Sequence, residues 1–186
     1  MKIRSFISLD LPLSLRHELS GYAKLIAGQD KRQKIRWIPP ENYHLTLVFT
    51  GDVESVKISA LQLVLERKLE STKAVPLTIS AITPFPFSCP KIAAALVEHS
   101  AELLRLHSDV ANCVRKNGIT LERRRFVPHV TLGRLNPRAG KTVDFKVRNI
   151  LLSGMADSVT LFQSELTPDG AIHTALAEIP LRSIPE

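Results

Sequence analysis

The sequence predicts an α+β fold in one domain, arranged as two similar lobes that face one another. Three observations lead to this. Helical and strand-like spacings of apolar residues alternate along all 186 residues. The tetrapeptide His-x-Thr-Leu occurs twice, as His44-Leu45-Thr46-Leu47 and His129-Val130-Thr131-Leu132, each time in apolar, strand-like surroundings. The two copies lie 85 residues apart, each followed by a strand-rich stretch, with no linker between them. A shuffled chain of this composition would hold about 0.05 copies of the pattern. Similarity outside the motifs is too thin to define an internal repeat, so the pseudo-symmetry rests on the motifs.

The elements follow in order. Ile3, Phe6, Ile7 and Leu9 mark a first strand. From Pro12 to Ala27, apolar residues at Leu15, Leu19, Tyr22, Ala23 and Ile26 have helical spacing, with Pro12 or Ser14 at the start. A short apolar piece at Ile35 to Ile38 precedes Pro39-Pro40, which fixes the entry of a strand from Tyr43 to Thr50 that Gly51-Asp52 closes. Ile58, Leu61, Leu65 and Leu69 give a second helix, Val56 to Leu69. Strands at Val75 to Ile82 and Ile92 to Val97 flank the Pro-rich turn Pro84 to Pro90, and a third helix runs from Ala101 to Lys116, ending at Gly118. The second motif occupies a strand from Phe126 to Leu135. Further strands are expected at Phe145 to Leu152, Ser158 to Leu166 and Ala171 to Ile179, with Pro168-Asp169-Gly170 as a hairpin turn.

Composition narrows the function. At 44% hydrophobic residues the chain reads as an ordinary globular protein with a substantial core. Its net charge of +7 points to a polyanionic partner such as nucleic acid, or serves solubility alone. Cys89 and Cys113 form neither a CxxC pair nor a disulfide framework and read as reduced core residues. The first nine residues read as a strand rather than a signal peptide, and no apolar run approaches the roughly 18 residues of a membrane span, so a cytoplasmic location is expected.

On a strand, side chains alternate between faces, so His44 and Thr46 project together, as do His129 and Thr131. If the two strands line one cleft, two imidazoles and two hydroxyls converge. That set suits phosphate chemistry. With an ordinary pKa of about 6.5, one imidazole can take a proton from water while the other donates one to a leaving alkoxide. Threonine hydroxyls can donate to nonbridging phosphoryl oxygens. A strained cyclic phosphodiester suits such a site and demands no metal. The rival readings are a hydrogen-bonded core pair, which has no reason to repeat both the polar spacing and the trailing leucine, and a zinc site, which lacks Asp, Glu or Cys at supporting spacings.

The stretches His44-Leu45-Thr46-Leu47-Val48-Phe49-Thr50-Gly51 and Phe126-Val127-Pro128-His129-Val130-Thr131-Leu132-Gly133-Arg134 resemble the paired signatures of the two-histidine (2H) phosphoesterase superfamily. Within it, the chain is most similar to the RNA 2′,3′-cyclic phosphodiesterase family, also called 2′-5′ RNA ligase or LigT-like. The resemblance takes in Arg4-Ser5-Phe6-Ile7, Arg36-Trp37 and Leu161 to Leu166 as well. It implies a bilobal fold with mainly antiparallel sheets lining a central cleft and helices outside. It also implies hydrolysis of a terminal 2′,3′-cyclic phosphate to a 2′-phosphate, with no metal or cofactor, and it favours a monomer. By the same resemblance His44 is the proton donor, His129 the proton acceptor, and Thr46 and Thr131 hold the phosphate; the residues alone leave the two histidines symmetric. Two positions depart from the family pattern: Thr50 stands where leucine is usual, and His173 where tyrosine is usual, which leaves the role of His173 open.

Arg134 matches an arginine that the family places near the phosphate, and guanidinium suits that anion. Strict alternation turns it away from His129 and Thr131 unless Gly133 permits a bulge. Arg123, Arg124 and Arg125 precede the second motif, and Lys31, Arg32, Lys34 and Arg36 the first; beside a cleft they form a track for an RNA backbone. Trp37 and Phe126 are candidates either for stacking a terminal base or for core packing. The expected function is hydrolysis of RNA ends carrying a 2′,3′-cyclic phosphate, with 2′-5′ ligation as its reverse. The alternatives are a phosphodiesterase of small cyclic nucleotides or 2′-5′ oligonucleotides, and a non-catalytic RNA-binding module.

Overall fold

A computed structural model describes residues 1–123, 125–136, 145, 147–167 and 170–183. The elements, in chain order, are β1 (Lys2–Asp10), α1 (Leu13–Gln29), β2 (Ile35–Trp37), a 3-10 turn (Pro40–Asn42), β3 (His44–Glu54), α2 (Ser55–Leu69), β4 (Val75–Phe85), β5 (Ile92–Val97), α3 (Ala101–Lys116), β6 (His129–Leu135), β7 (Val147–Ala156), β8 (Ser158–Thr167) and β9 (Gly170–Pro180). None of these helices is long and apolar enough to cross a membrane.

The strands form two antiparallel halves joined edge to edge, in the order β7-β4-β5-β6 and then β3-β1-β8-β9, with β2 also beside β6. Between β3 and β6 the registered partners are the single pair Leu45 and Val130. The fold is α+β, with the helices covering one face of this sheet. Leu15, Leu19, Ala23 and Ile26 of α1, Ile58, Leu61, Leu65 and Leu69 of α2, and Leu103, Leu106, Val110 and Val114 of α3 are buried, the i, i+3, i+4 spacing of an apolar stripe. They meet the alternate strand residues Ile7, Leu9, Leu45, Leu47, Val130 and Leu132 in one cluster. The opposite face of β3 and β6, carrying the motif His and Thr residues, is only half-buried.

Helix α3 has the limits read from its periodicity, and the Ser100 side chain caps it by accepting from Leu103 N at 3.1 Å. The strands differ more. β3 runs past Gly51 to Glu54 instead of closing there, because Gly51 (φ +71°) belongs to a bulge. Phe49 pairs with Phe6 and Gly51 with Ser5, leaving Thr50 as the extra residue. β4 continues through Pro84 to Phe85; it pairs there with β5, while its pairing to β7 stops at Ile82 among the described residues. β6 begins at His129 rather than Phe126. β8 ends at Thr167 and β9 begins at Gly170; Pro168 and Asp169 of the expected turn lie outside the described residues. Cys113 is buried in α3, but Cys89 is exposed, since the segment after Phe85 turns outward.

The Thr50 bulge is fixed by side chains. Thr50 Oγ1 donates to Ser5 O at 2.7 Å and lies 2.6 Å from Ser5 Oγ, with both residues buried. Thr50→Val leaves Ser5 Oγ without its partner and should cost about 1–3 kcal/mol in chemical denaturation, whereas the double variant Ser5→Ala/Thr50→Val should return to within about 1 kcal/mol of wild type. A Thr50→Val variant as stable as wild type would show that the pair does not hold the bulge.

Candidate active site

The pairing of Leu45 with Val130 sets the site. In an antiparallel pair this register puts His44 across from Thr131 and Thr46 across from His129, all four on the face away from the helices. The two motifs are thus interleaved around a local two-fold axis.

Each imidazole is held by the main chain two residues before it, just outside its strand. His44 Nδ1 donates to Asn42 O at 2.8 Å, and His129 Nδ1 donates to Val127 O at 2.7 Å. A carbonyl can only accept, so Nδ1 carries the hydrogen in both rings and Nε2 is left for chemistry. Aromatic rings back each one. Phe6 stacks on His44 with centroids 5.0 Å apart and on Phe162 at 5.3 Å, while Phe85 lies 5.0 Å from His129 and packs against Phe87. His173 reaches the same face from β9, edge-on to His44 at 5.7 Å and to Phe6 at 4.9 Å.

The pKa of His44 is pushed down to about 4, chiefly by burial; its hydrogen bond to Asn42 opposes this, and the positive charge of His173, Arg16 and His129 adds to it. The pKa of His173 is lowered by burial and by Arg134.

The register of β6 returns Arg134 to the face of His129 and Thr131, against strict alternation. The cause is a bulge, because Ala94 pairs with Thr131 and Ala93 with Gly133, so Leu132 is the extra residue and the alternation resets. Gly133 is also required for packing: a Cβ there would lie 2.6 Å from Ile35 Cγ2 and 3.1 Å from Arg36 O. Arg36 pairs with Arg134 across β2 and β6, and its guanidinium lies against Gly170 at the start of β9.

The other candidates divide. Trp37 packs partly buried against the core. Phe126 is also packed there and stacks face to face on His107, with centroids 3.9 Å apart and planes at 3°, so that face of its ring is taken. Arg123 and Arg125 are exposed just before β6, and Arg124 lies outside the described residues. Among the described residues no group of three or more His, Cys, Asp or Glu is arranged to hold a metal ion. Phe6, Phe85, Phe162 and Asp10 were not legible as site residues, because only the sheet order brings them to the motifs; Arg16, on α1, and Glu41, three residues before His44, carry no local signal that marks them.

Residues 26–165 match the 2′-5′ RNA ligase superfamily. The chain belongs to this family. Among relatives in the 2′-5′ RNA ligase superfamily, the RNA 2′,3′-cyclic phosphodiesterase of Methanothermobacter thermautotrophicus is 31% identical over 94% of this chain and 96% of its own length. That of Thermotoga maritima is 28% identical over 95% and 94%. The fold matches a Thermus thermophilus protein with a TM-score of 0.84 at 23% identity, covering 97% of this chain and 99% of that one. It also matches Escherichia coli LigT in its apo form, with a TM-score of 0.79 at 23% identity, covering 97% and 98%.

The buried histidine makes folding depend on pH. An unfolded histidine titrates near 6.5 and folded His44 near 4, so on acidification the unfolded chain binds a proton that the folded chain refuses. This stability is fully present above about pH 6.5 and is lost as pH falls towards about 4, a total of about 3 kcal/mol. In chemical denaturation at about pH 7.5 and about pH 4.5, wild type should lose about 2–3 kcal/mol more than His44→Gln. Equal losses would contradict a buried, neutral His44.

Proposed function

We propose that this protein hydrolyses RNA 2′,3′-cyclic phosphate ends to 2′-phosphomonoesters, with His44 and His129 as the acid–base pair. The observation that carries the reading is the interleaved register at Leu45 and Val130, which sets two backbone-anchored imidazoles and two threonine hydroxyls on one open face. The names of the relatives support the substrate class, since seven of them covering 78% or more of this chain are named RNA 2′,3′-cyclic phosphodiesterases.

Nε2 of His129 takes a proton from water as the water oxygen attacks phosphorus. The bond from phosphorus to the 3′ oxygen breaks, and Nε2 of His44 gives its proton to that oxygen. Thr46 and Thr131 donate to the nonbridging oxygens, and Arg134 adds positive charge on the cleft side. The products are a 2′-phosphate and a free 3′-hydroxyl. With a 5′-hydroxyl in place of water, the same attack on the cyclic phosphate breaks the bond to the 3′ oxygen, which takes its proton from His44, and leaves a 2′-5′ linkage. No step needs a metal. The basic residues Arg36, Arg123 and Arg125 extend the positive surface for the RNA backbone, and the protein acts as a cytoplasmic monomer.

His44 must be protonated to act as the acid, although burial keeps it neutral in the free protein at neutral pH. The phosphate dianion or diester brings the negative charge that favours the imidazolium, so protonation is coupled to substrate binding. Titration of a nucleoside 2′-phosphate into the protein near pH 7 should take up as much as about one proton, seen as an enthalpy that varies with buffer ionisation heat. That variation should vanish in His44→Ala, and a buffer-independent enthalpy in wild type would argue against this coupling.

The direct test is incubation with an RNA oligonucleotide ending in 2′,3′-cyclic phosphate, in excess EDTA, with the product identified by mass and phosphatase sensitivity. A 2′-phosphate is expected. His44→Ala and His129→Ala should each lower turnover by about 10²- to 10⁴-fold while retaining the fold. Near wild-type rates in either variant would refute the acid–base pair, and loss of activity in EDTA would require a metal.

A further inference from the structure

Beside His44 lies a cavity of about 60 Å³ that the acid–base reading does not use. Asp10 at the end of β1, Arg16 in the first turn of α1, Glu41 in the 3-10 turn, Phe162 on β8 and His173 on β9 line it together with His44. On two of these lining residues a nitrogen, Arg16 Nε and His173 Nδ1, is buried and has no hydrogen-bond partner among the described residues. Burying polar nitrogens unpaired is costly, and two of them on residues that line one small cavity next to a reacting imidazole point to a group that arrives from outside.

The lining identifies that group. Arg16 Nε can only donate, His173 Nδ1 donates or accepts according to tautomer, and the carboxylates of Asp10 and Glu41 accept. Asp10 is already held by Thr160 Oγ1 at 2.6 Å and Ser8 Oγ at 3.4 Å. An anion would face both carboxylates, an apolar group would leave the nitrogens unpaired, and a nucleobase exceeds the volume. A hydroxyl, which donates and accepts at once, matches both the size and the mixed lining.

This step rests on the proposed activity. With His44 facing the leaving 3′ oxygen, the RNA chain leaves on the side of His44. The terminal ribose has both its 2′ and 3′ oxygens in the cyclic phosphate, so the nearest free ribose hydroxyl belongs to the nucleotide before it. We propose that Arg16 and His173 form a subsite for the 2′-hydroxyl of that preceding nucleotide. The subsite makes the protein read RNA rather than DNA one residue upstream of the end it cleaves, since the 2′-hydroxyl is what distinguishes the two. It also gives His173 a function distinct from that of the motif histidines.

The experiment uses three dinucleotides, each ending in the same ribonucleoside 2′,3′-cyclic phosphate, with ribose, 2′-deoxyribose or 2′-fluororibose in the preceding position. Wild type should favour the ribose substrate over both others by about ten-fold in kcat/KM, and in Arg16→Met and His173→Phe the ratio should fall to about one. A change in His44 alone moves all three substrates together and leaves the ratio intact, so the ratio separates a subsite from a structural effect. If one variant fails to fold, the other carries the comparison. A wild-type ratio of about one, a 2′-fluoro substrate handled like the ribose one, or a ratio retained in the folded variants would overturn the subsite while leaving the activity standing. Failure of wild type to cleave any of the three would instead overturn the activity on which the subsite rests.

Discussion

The backbone pairing of Leu45 with Val130 is the contact on which the rest of the site depends. On either side of it, the two halves of the sheet could each fold around their own helices and still bring no chemistry together. Once the pair forms, each motif histidine lies opposite the other motif's threonine, and neither half holds a complete set. The seam is short, so its geometry is supported from behind. Helix α3 packs on β3 of one half and on β4 of the other, and His107 of that helix donates through Nδ1 to Leu47 O at 3.0 Å. Leu47 is the extra residue of a second bulge against β1, so the helix satisfies a carbonyl that the ladder leaves over.

Bulges are the second device that shapes this site. One in β6 returns Arg134 to the side of His129, and two in β3 bend the strand that carries His44. Each puts an extra residue on one strand and shifts the face on which later side chains emerge. The glycines in two of these places have separate reasons: Gly51 adopts a left-handed φ of +71°, whereas Gly133 makes room for β2.

What could be read in the sequence followed from local periodicity. The spacing of Leu103, Leu106, Val110 and Val114 fixed α3, and the His-x-Thr alternation put the two side chains of each motif on one face of its own strand, while their convergence depends on the sheet. Gly51 was misleading because a glycine in a strand signals a bulge as readily as an end. Strict period-two counting alone turns Arg134 away, and the bulge allowed for beside Gly133 is found one residue earlier, at Leu132. Phe126 offered an aromatic face that tertiary packing gives to His107. The neighbours of His44 were illegible for a different reason. β1 lies between β3 and β8, so Phe6, Phe162 and His173 reach the motif through sheet order, which local patterns do not encode. His173 comes from 129 positions further along the chain than His44.

The anchoring of both imidazoles has a genetic consequence. In many histidine sites a carboxylate side chain fixes the tautomer, and one base change can remove it. Here the acceptors are the main-chain carbonyls of Asn42 and Val127, which every residue type supplies. Substitution at either position leaves the oxygen in place, so the orientation of the pair has no side chain to lose. Drift can replace the side chains of Asn42 and Val127 as long as the 3-10 turn at Asn42 and the backbone leading into β6 persist. The vulnerability passes to insertions and deletions, which would shift the carbonyl two residues before each histidine and release the ring.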